Sequence, residues 1–299
     1  MKMNLIKSIS KWLRALLSCT ALVSLLWGCA VAPTKLLIKD ISKSFEENTI
    51  ISADTGMLVS FEELLEDLNR NQVAYIGEKH TNRSHHKIQA KVIQAMFQKS
   101  QNIAVAMEMF AYTYQDVIDL WSAGELDEKT FLRKSHWYAG WRYDFSLYRD
   151  ILEFIKANRI RLVALNIPFD IPAKIRVGGI ENLAEDDKAH IPKEIDTSNT
   201  AYRDYVESVF KKHNFKGKFE FDDFYMVQSV WDEKMAESIA VNLNQEKMVV
   251  LAGNGHIQYK YGIPDRAFRR TGASFRTLYL APADEEVDLS IADYIWITP

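Results

Sequence analysis

The chain has 299 residues, of which 47% are hydrophobic and 26% are charged, and its formal net charge is −3. This length is enough for one large domain or for a domain with a substantial insertion. The near-neutral charge, without a long basic stripe, argues against nucleic acid as a partner.

The N-terminal segment has the pattern of a secretion signal. Basic residues between Lys2 and Arg14 precede an apolar stretch, 16–27, which is too short to span a bilayer comfortably. The stretch ends in Leu26-Trp27-Gly28-Cys29, which resembles a bacterial lipobox. We therefore predict that residues 1–28 are a lipoprotein signal peptide and that Cys29 is lipidated.

An uncleaved N-terminal membrane anchor is the alternative, because Trp27 stands where a lipobox usually has a small residue. Either arrangement tethers the protein at a membrane. Ala30 after the cysteine, rather than Asp, favours the outer membrane, with the protein facing the periplasm or the cell surface.

Cysteine occurs at two positions, Cys19 in the signal and Cys29 at the predicted lipid site. The domain that follows therefore has no disulfide, no thiolate metal ligand and no cysteine nucleophile.

The first part of the predicted domain alternates helices and strands. Residues 29–57 are polar and weakly patterned, which indicates a tether and an entry strand. Apolar residues at helical spacing then predict an amphipathic helix over 61–68. The elements that follow are a strand at 73–76, a helix beginning at 81–84, a strand at 103–107, helices at 114–122, 128–134 and 147–158, and a strand at 160–165.

The second part returns to the sheet after a more polar stretch. Residues 170–222 are predicted to form a helical insertion or lid, with a helix at 202–213. A helix at 225–243 and strands at 248–252, 274–280 and 294–298 complete the chain. Apolar strands separated by helices are typical of a mostly parallel sheet with helices on both faces. We therefore predict an α/β domain over 58–299.

Two predicted strands each end in Gly-x-x-His, at Gly77-Glu78-Lys79-His80 and at Gly253-Asn254-Gly255-His256. Glu108 and Asn166 end two further strands. Because ligands bind at the carboxyl ends of the strands in open α/β folds, these side chains predict a functional cleft. Imidazole and carboxylate groups suit zinc, manganese or iron. Each residue alone is more often a satisfied polar group at a strand end.

Other polar and aromatic residues lie close to these motifs. His85 and His86 open the helix after the first motif, where one of them faces the cleft or both are exposed. Gln228 and Asp232, one helical turn apart, are either partners of the histidines or surface residues. The aromatic cluster over 137–148 is more typical of a core than of a cofactor platform.

Several common motifs are absent from the sequence. It has no Gly-rich phosphate loop, no Gly-x-Ser-x-Gly elbow and no His-Glu-x-x-His. It also lacks Cys-x-x-Cys-His, so any haem must be held without a covalent link.

Blocks that extend in order from Tyr75 to Arg266 resemble a known family. They are Tyr75-Ile76-Gly77-Glu78-Lys79-His80 with His85-His86 and Gln89, Glu108, Asn166-x-Pro168, Gln228-x-x-x-Asp232-x-x-Met235-Ala236, and Gly253-x-Gly255-His256 with Gly262-Ile263-Pro264-x-Arg266. These blocks are similar to the ChaN family, described as haem-binding lipoproteins linked to iron uptake. The family belongs to a wider group with Tiki-type metalloproteases and erythromycin-esterase-like proteins.

The resemblance implies a membrane-anchored lipoprotein that binds haem through a tyrosine and serves haem or iron acquisition. It also implies a homodimer and an outer-membrane haem receptor as a partner. Tyr202 and Tyr205 are the candidates for the iron, since phenolate suits ferric haem. Lys211, Lys212 and His213 lie beside them and would meet the propionates. An ordinary amphipathic helix with a solvated basic end is the alternative.

The wider group implies a second function, a metal-dependent hydrolase. In that case Glu78, His80 and His256 bind a divalent metal (Zn, Mn or Fe), and Glu78 and Glu108 are the catalytic residues. Glu108 would act as general base on a bound water. The same residues can serve both functions if a haem cleft derives from a hydrolase site.

Overall fold

The structure is a computed structural model that describes residues 35–212 and 220–299. The predicted signal peptide, the predicted lipid site at Cys29, and His213 lie outside the described residues. Lys35–Pro299 form one unit by their internal contacts.

The strands lie in two sheets. In chain order they are β1 (Lys35–Ile38), β2 (Lys43–Glu46), β3 (Ile50–Ser52), β4 (Met57–Val59), β5 (Val73–Glu78), β6 (Ile103–Ala111), β7 (Arg161–Asn166), β8 (Lys247–Gly253), β9 (Phe275–Pro282), β10 (Glu286–Val287) and β11 (Tyr294–Thr298).

Helices connect most of these strands. They are α1 (Phe61–Arg70), α2 (Arg83–Lys99), α3 (Gln115–Ser122), α4 (Glu128–Lys134), α5 (Trp137–Gly140), α6 (Arg149–Asn158), α7 (Ile171–Gly178), α8 (Glu185–Lys188), α9 (Thr200–Lys212), α10 (Phe221–Asn242), α11 (Asn254–Ile257) and α12 (Ile263–Thr271).

Within the described residues, the larger sheet has eight strands in the order β4-β3-β11-β9-β5-β8-β6-β7. From β11 to β7 each neighbouring pair is parallel, whereas β3 pairs antiparallel with both β11 and β4. The predicted α/β fold with a mostly parallel sheet is therefore confirmed. Its central strands β5, β8 and β6 are those whose ends carry the predicted cleft residues.

Helices cover both faces of this sheet. In β8, Val249 and Leu251 pack into the core under α2 and α6, while Val250 packs into the core under α10 and α12. Met235 and Ile239 of α10 belong to that second core. Because each central strand is buried on both faces, its sequence is apolar throughout and does not alternate.

Local sequence sets the start of α1. The Ser60 side chain accepts from the backbone N–H of Glu63, and the Glu63 carboxylate accepts from the backbone N–H of Ser60 at 2.7 Å. This capping box satisfies two backbone donors that a helix start otherwise leaves unpaired. Leu64, Leu65 and Leu68 then lie on the buried face, as the periodicity predicted.

The first described residues differ from the predicted tether with one entry strand. Residues 35–57 contain β1, β2, β3 and the start of β4, and β1 pairs with β2 and β10 in a separate small sheet. Each of these strands is short, and Phe45 is the buried residue of β2. So short a segment does not show a period of two residues clearly enough to be recognised.

Helices α7, α8 and α9 lie in the segment 170–222, which was predicted to be a helical insertion. Ile171 and Ile175 of α7 pack against Val227 and Val230 of α10. In the ranges that the structure describes, no helix combines the length and apolar character needed to cross a bilayer.

Candidate functional site

The strand register brings two glutamates to either side of one glycine. Glu78 ends β5 and pairs with Gly253, which ends β8. On the other side of β8, Met107 of β6 pairs with Leu251, and Glu108 is the next residue. Glu108 accepts a hydrogen bond from the backbone N–H of Gly253 at 2.6 Å. The carboxyl edge of the sheet therefore holds both carboxylates, as the motifs predicted.

Gly253 is glycine because His80 packs against the end of β8. A Cβ atom at Gly253 would lie 2.9 Å from Cε1 and 3.2 Å from Nε2 of His80. It would also lie 3.6 Å from Oε2 of Glu108. A side chain here would push His80 away from the strand end. The glycine thus allows the two Gly-x-x-His motifs to approach each other.

The Glu78 carboxylate is buried and accepts three hydrogen bonds. His80 Nδ1, at 2.8 Å, and the Tyr148 hydroxyl, at 2.5 Å, donate to Oε1. The Gln89 amide donates to Oε2 at 2.9 Å, and His86 Nδ1 lies 3.5 Å from the same oxygen. Burial raises the pKa of Glu78, but the contacts with His80 and His86 lower it by more. The pKa of Glu78 therefore lies below its usual range. Glu78 is therefore a buried anion.

The two histidines that open α2 are both buried, so the predicted alternative of two exposed histidines is wrong. His85 accepts from the backbone N–H of Lys79 at 2.9 Å, and its Nε2 lies 3.1 Å from the Thr298 hydroxyl. Burial lowers the pKa of His85 to about 3, so its ring is neutral. His86 donates from Nε2 to the carbonyl of His80 at 3.0 Å. His86 therefore belongs to the site, and His85 holds the turn before α2.

The second Gly-x-x-His motif places His256 among three polar side chains. Its Nδ1 donates to Asp232 at 2.5 Å, and the Gln228 amide lies 3.0 Å from the same nitrogen. Its Nε2 lies 3.3 Å from Oε1 of Glu108. The other oxygen of Asp232 accepts from the Tyr202 hydroxyl. Gln228 and Asp232 are thus partners of a histidine, which confirms that alternative over surface roles.

These contacts form one group, the His–carboxylate cluster. Its members are Glu78, His80, Glu108, Asp232 and His256. Burial lowers the pKa of both histidines, but Glu78 raises that of His80, and Glu108 and Asp232 raise that of His256 well above its ordinary value. Burial raises the pKa of Glu108, and His256 brings it below its ordinary value. In the cluster, two histidines with raised pKa values thus lie against buried carboxylates.

A cavity of about 390 Å³ opens onto the cluster. His80, Gln228 and His256 form its polar wall, and Val206 and Val209 of α9 form part of an apolar wall. The cavity can therefore hold a ligand that combines apolar surface with a polar edge.

A second cavity, of about 660 Å³, shares Tyr205 and Val209 with the first. Tyr259, Tyr279, Lys39 and Lys212 line it, and Tyr205 lines both cavities. The Tyr205 hydroxyl donates to the carbonyl of Gly255 at 3.4 Å and accepts from the Gln258 amide. Burial raises the pKa of this phenol, so it is neutral at physiological pH.

The predicted haem residues are placed in different environments. Tyr202 is fully buried, and its hydroxyl is bonded to Asp232. Tyr205 and Lys212 line cavities, whereas Lys211 pairs with Glu207 on the surface. His213 lies outside the described residues. Contact of any of these residues with haem stays a prediction.

The predicted metal ligands are Glu78, His80 and His256, and all three lie at the carboxyl edge of the sheet. The Nδ1 atoms of the two histidines face carboxylates of the cluster. Among residues 35–212 and 220–299, no three or more His, Cys, Asp or Glu side chains are placed to hold a metal ion. Asn166 donates to the carbonyl of Glu108 at 3.0 Å and so ties β7 to β6. Metal binding stays a prediction.

Two residues of the site were not singled out from the sequence. Tyr148 is a core aromatic, as predicted for its cluster, but it also donates to Glu78. Tyr259 has a left-handed backbone, with φ of 57°, which is unusual for a bulky residue. It packs near Tyr205, with ring centroids 5.8 Å apart. No sequence pattern points to either residue.

Comparison with known proteins supports one family. The family model described as haem-binding uptake, Tiki superfamily, ChaN matches residues 64–267. The fold is similar to the solved structure of cofacial heme binding to ChaN of Campylobacter jejuni, with a TM-score of 0.68 and 21% identity, over 83% of this chain and 95% of that chain.

A mutant of the erythromycin esterase EreC in its open conformation is more distant. Its TM-score is 0.46 at 14% identity, over 78% of this chain and 77% of that chain. No curated protein sequence matches the chain significantly.

Proposed function

The chain belongs to the ChaN family of haem-binding uptake proteins in the Tiki superfamily, and we propose that it is a membrane-anchored lipoprotein that binds haem for haem or iron acquisition. The family match over residues 64–267 includes all members of the His–carboxylate cluster. The observation that carries the proposal is the position of Tyr205, a tyrosine that lines two neighbouring cavities.

The residues around Tyr205 fit haem chemically. Volumes of about 390 and 660 Å³ are in the range of ligand pockets, roughly 300–1,000 Å³. Val206 and Val209 offer apolar surface to a porphyrin face, and Lys212 offers a cation to a propionate. Haem, if bound, would supply a ferric iron, which Tyr205 would hold as a phenolate after release of its phenol proton to solvent.

Tyr205 is a better candidate for this contact than Tyr202. The Tyr202 hydroxyl donates a hydrogen bond to Asp232, and the side chain of Tyr202 has no exposed surface. Tyr205 already lines both cavities, and its hydroxyl contacts the Gly255 carbonyl, at 3.4 Å, and the Gln258 amide rather than a buried carboxylate.

The oligomeric state follows from the same proposal. The relative from Campylobacter jejuni binds heme cofacially. We extend this to the present chain as a homodimer in which two haems face each other. An outer-membrane haem receptor remains the proposed partner for delivery. Sedimentation of the full chain with and without haem tests the dimer, and a mass that stays monomeric at saturation contradicts it.

The decisive experiment is a haem titration of the full chain followed by visible absorbance. We expect a saturable shift to a ferric spectrum. Tyr205→Phe should weaken binding and alter the spectrum, because it removes the proposed ligand oxygen. The matched control is Tyr138→Phe, since Tyr138 is 57% exposed and lines neither cavity.

Two results would count against the proposal in different ways. No shift beyond that of an unrelated control protein removes haem binding itself. A normal shift that is equal in Tyr205→Phe and Tyr138→Phe keeps haem binding but removes Tyr205 as the ligand.

A metal-dependent hydrolase is the second candidate, and one observation favours it. His80 and His256 face the same cavity, each with a buried carboxylate behind Nδ1, an arrangement that suits proton transfer. Glu78→Gln should abolish ester or peptide hydrolysis, measured with and without added zinc or manganese. Asp222→Asn, on the exposed face of α10, is the control. Full activity of Glu78→Gln would contradict this function.

A further inference from the structure

An apolar patch on the surface lies beside the first described strands. Among the described residues, the large apolar side chains with the greatest exposure here are Met57, at 61%, and Leu58, at 57%, with Ile41 at 39%. A Cβ atom at Gly56 would lie 3.5 Å from Cδ1 of Ile41, so the turn that holds Ile41 packs beside the turn that leads into β4. We call Ile41, Met57 and Leu58 the Met57 patch.

The patch lies at an edge of the larger sheet. β4 is the terminal strand of that sheet and pairs with β3 alone. Met57 and Leu58 are neighbours in β4, so they point to opposite faces, yet both are exposed. Apolar residues on both sides of an edge strand promote association in water. In its native setting this edge therefore needs a cover.

The position of the predicted lipid site points to what covers it. Lys35, the start of β1, is six residues after Cys29, which is at most about 20 Å of chain. β1 then leads into the turn of Ile41 over roughly 13 Å. A lipid on Cys29 would therefore keep the Met57 patch within reach of the bilayer that holds the lipid.

Charges beside the patch are mixed. Lys35 pairs with Glu46, and Lys39 pairs with Asp288, each at 3.3 Å. Lys35 and Lys39 are therefore each compensated by a carboxylate. Contact with a bilayer would depend on apolar insertion.

We propose that the Met57 patch inserts into the surface of the lipid bilayer in which the chain is anchored, so that β4 faces the membrane. The proposal rests on the lipidation of Cys29 and is independent of haem binding. Docking in this way fixes the orientation of the domain relative to the bilayer.

The test uses the full chain in phosphatidylcholine vesicles. Since Cys29 is the one cysteine of the mature chain and its thiol is blocked by the lipid, Asp54→Cys places a unique environment-sensitive fluorophore on the exposed turn beside the patch. We expect a blue shift and quenching by spin-labelled lipid. A label at Val241→Cys should show neither, because Val241 lines a cavity beside Ala164 of β7, the opposite edge strand.

A paired substitution then tests the patch itself. Met57→Asp with Leu58→Asp should abolish the blue shift at position 54, while flotation shows that the chain still travels with the vesicles. Val177→Asp, at a position that is 86% exposed on α7, should leave the shift unchanged.

Three results would overturn the proposal. In the first, the label at position 54 is not quenched although the chain floats. In the second, the shift disappears on dilution into excess vesicles, which identifies a second copy of the chain as the cover. In the third, the chain fails to float, which removes the lipid anchor on which the proposal rests. Haem titration of the same sample shows whether the proposed function survives each result.

Discussion

Asp232→Asn is the sharpest test of the His–carboxylate cluster. Asp232 is fully buried and accepts two hydrogen bonds, from His256 Nδ1 at 2.5 Å and from the Tyr202 hydroxyl. Asparagine offers one acceptor oxygen, so one of the two donors would face an NH₂ group. The imidazolium of His256 would also lose its negatively charged partner.

The expected cost follows from breaking a buried ion pair on one side, about 3 to 5 kcal/mol. For a domain of this size each kcal/mol shifts Tm by roughly 2 to 4 °C, so Tm should fall by roughly 6 to 20 °C. Urea unfolding measures the free energy change, and histidine NMR titration measures the pKa of His256, which should fall. Asp222→Asn is the matched control, because Asp222 lies on the same helix and pairs with Arg203 at the surface.

The pH dependence provides the refutation. The pKa of His256 is raised above its ordinary value of 6.5. Stabilisation from its pairing is therefore complete below pH 6.5 and is lost as pH rises through the raised pKa. The stability difference between the native protein and Asp232→Asn should shrink at alkaline pH. A difference that is independent of pH and no larger than that of Asp222→Asn would refute the reasoning.

Three further predictions concern the same cluster. Gly253→Ala should displace His80 and destabilise the fold by about 1 to 3 kcal/mol in urea unfolding. Gly178→Ala should not, because the nearest contact of its added Cβ would be an ordinary 3.7 Å. Equal effects of the two variants would contradict the steric argument. Tyr148→Phe should cost about 1.5 to 3 kcal/mol, because Glu78 loses a donor, and an unchanged stability would show that water replaces the hydroxyl. The pKa values of Glu78 and Glu108 lie below their ordinary 4.5. The stability that these ionised carboxylates contribute to the fold should therefore be lost as pH falls below 4.5. A stability, followed by circular dichroism, that stays constant between pH 5 and 3 would exclude their ionised state.

Haem binding and membrane docking are proposed for different parts of the molecule. Haem binding concerns Tyr205 and the cavities beside α9, at the carboxyl edge of the central strands. Membrane docking concerns β4, at one end of the strand order. Because the two sites share no residue, variants in one should leave the other unchanged, and the two sets of experiments can be interpreted independently.

Sequence patterns predicted the main elements closely. The helix predicted at 61–68 is Phe61–Arg70, and the strand predicted at 248–252 is Lys247–Gly253. Long elements with a clear period are set by which face is buried, and the sequence displays that period directly. The short strands β1 and β2 were not recognised, since four residues with one or two buried side chains carry too little pattern.

The sequence by itself determined that glutamates and histidines end the central strands, because each motif follows an apolar run within a few residues. It also determined the lack of cysteine chemistry in the domain, and the family, through blocks in a fixed order. Tertiary structure alone decided the pairings. Asp232 meets His256 across 24 residues and Tyr148 meets Glu78 across 70. Such contacts depend on how helices pack over the sheet, and no local period encodes the distance between two side chains so far apart in the chain.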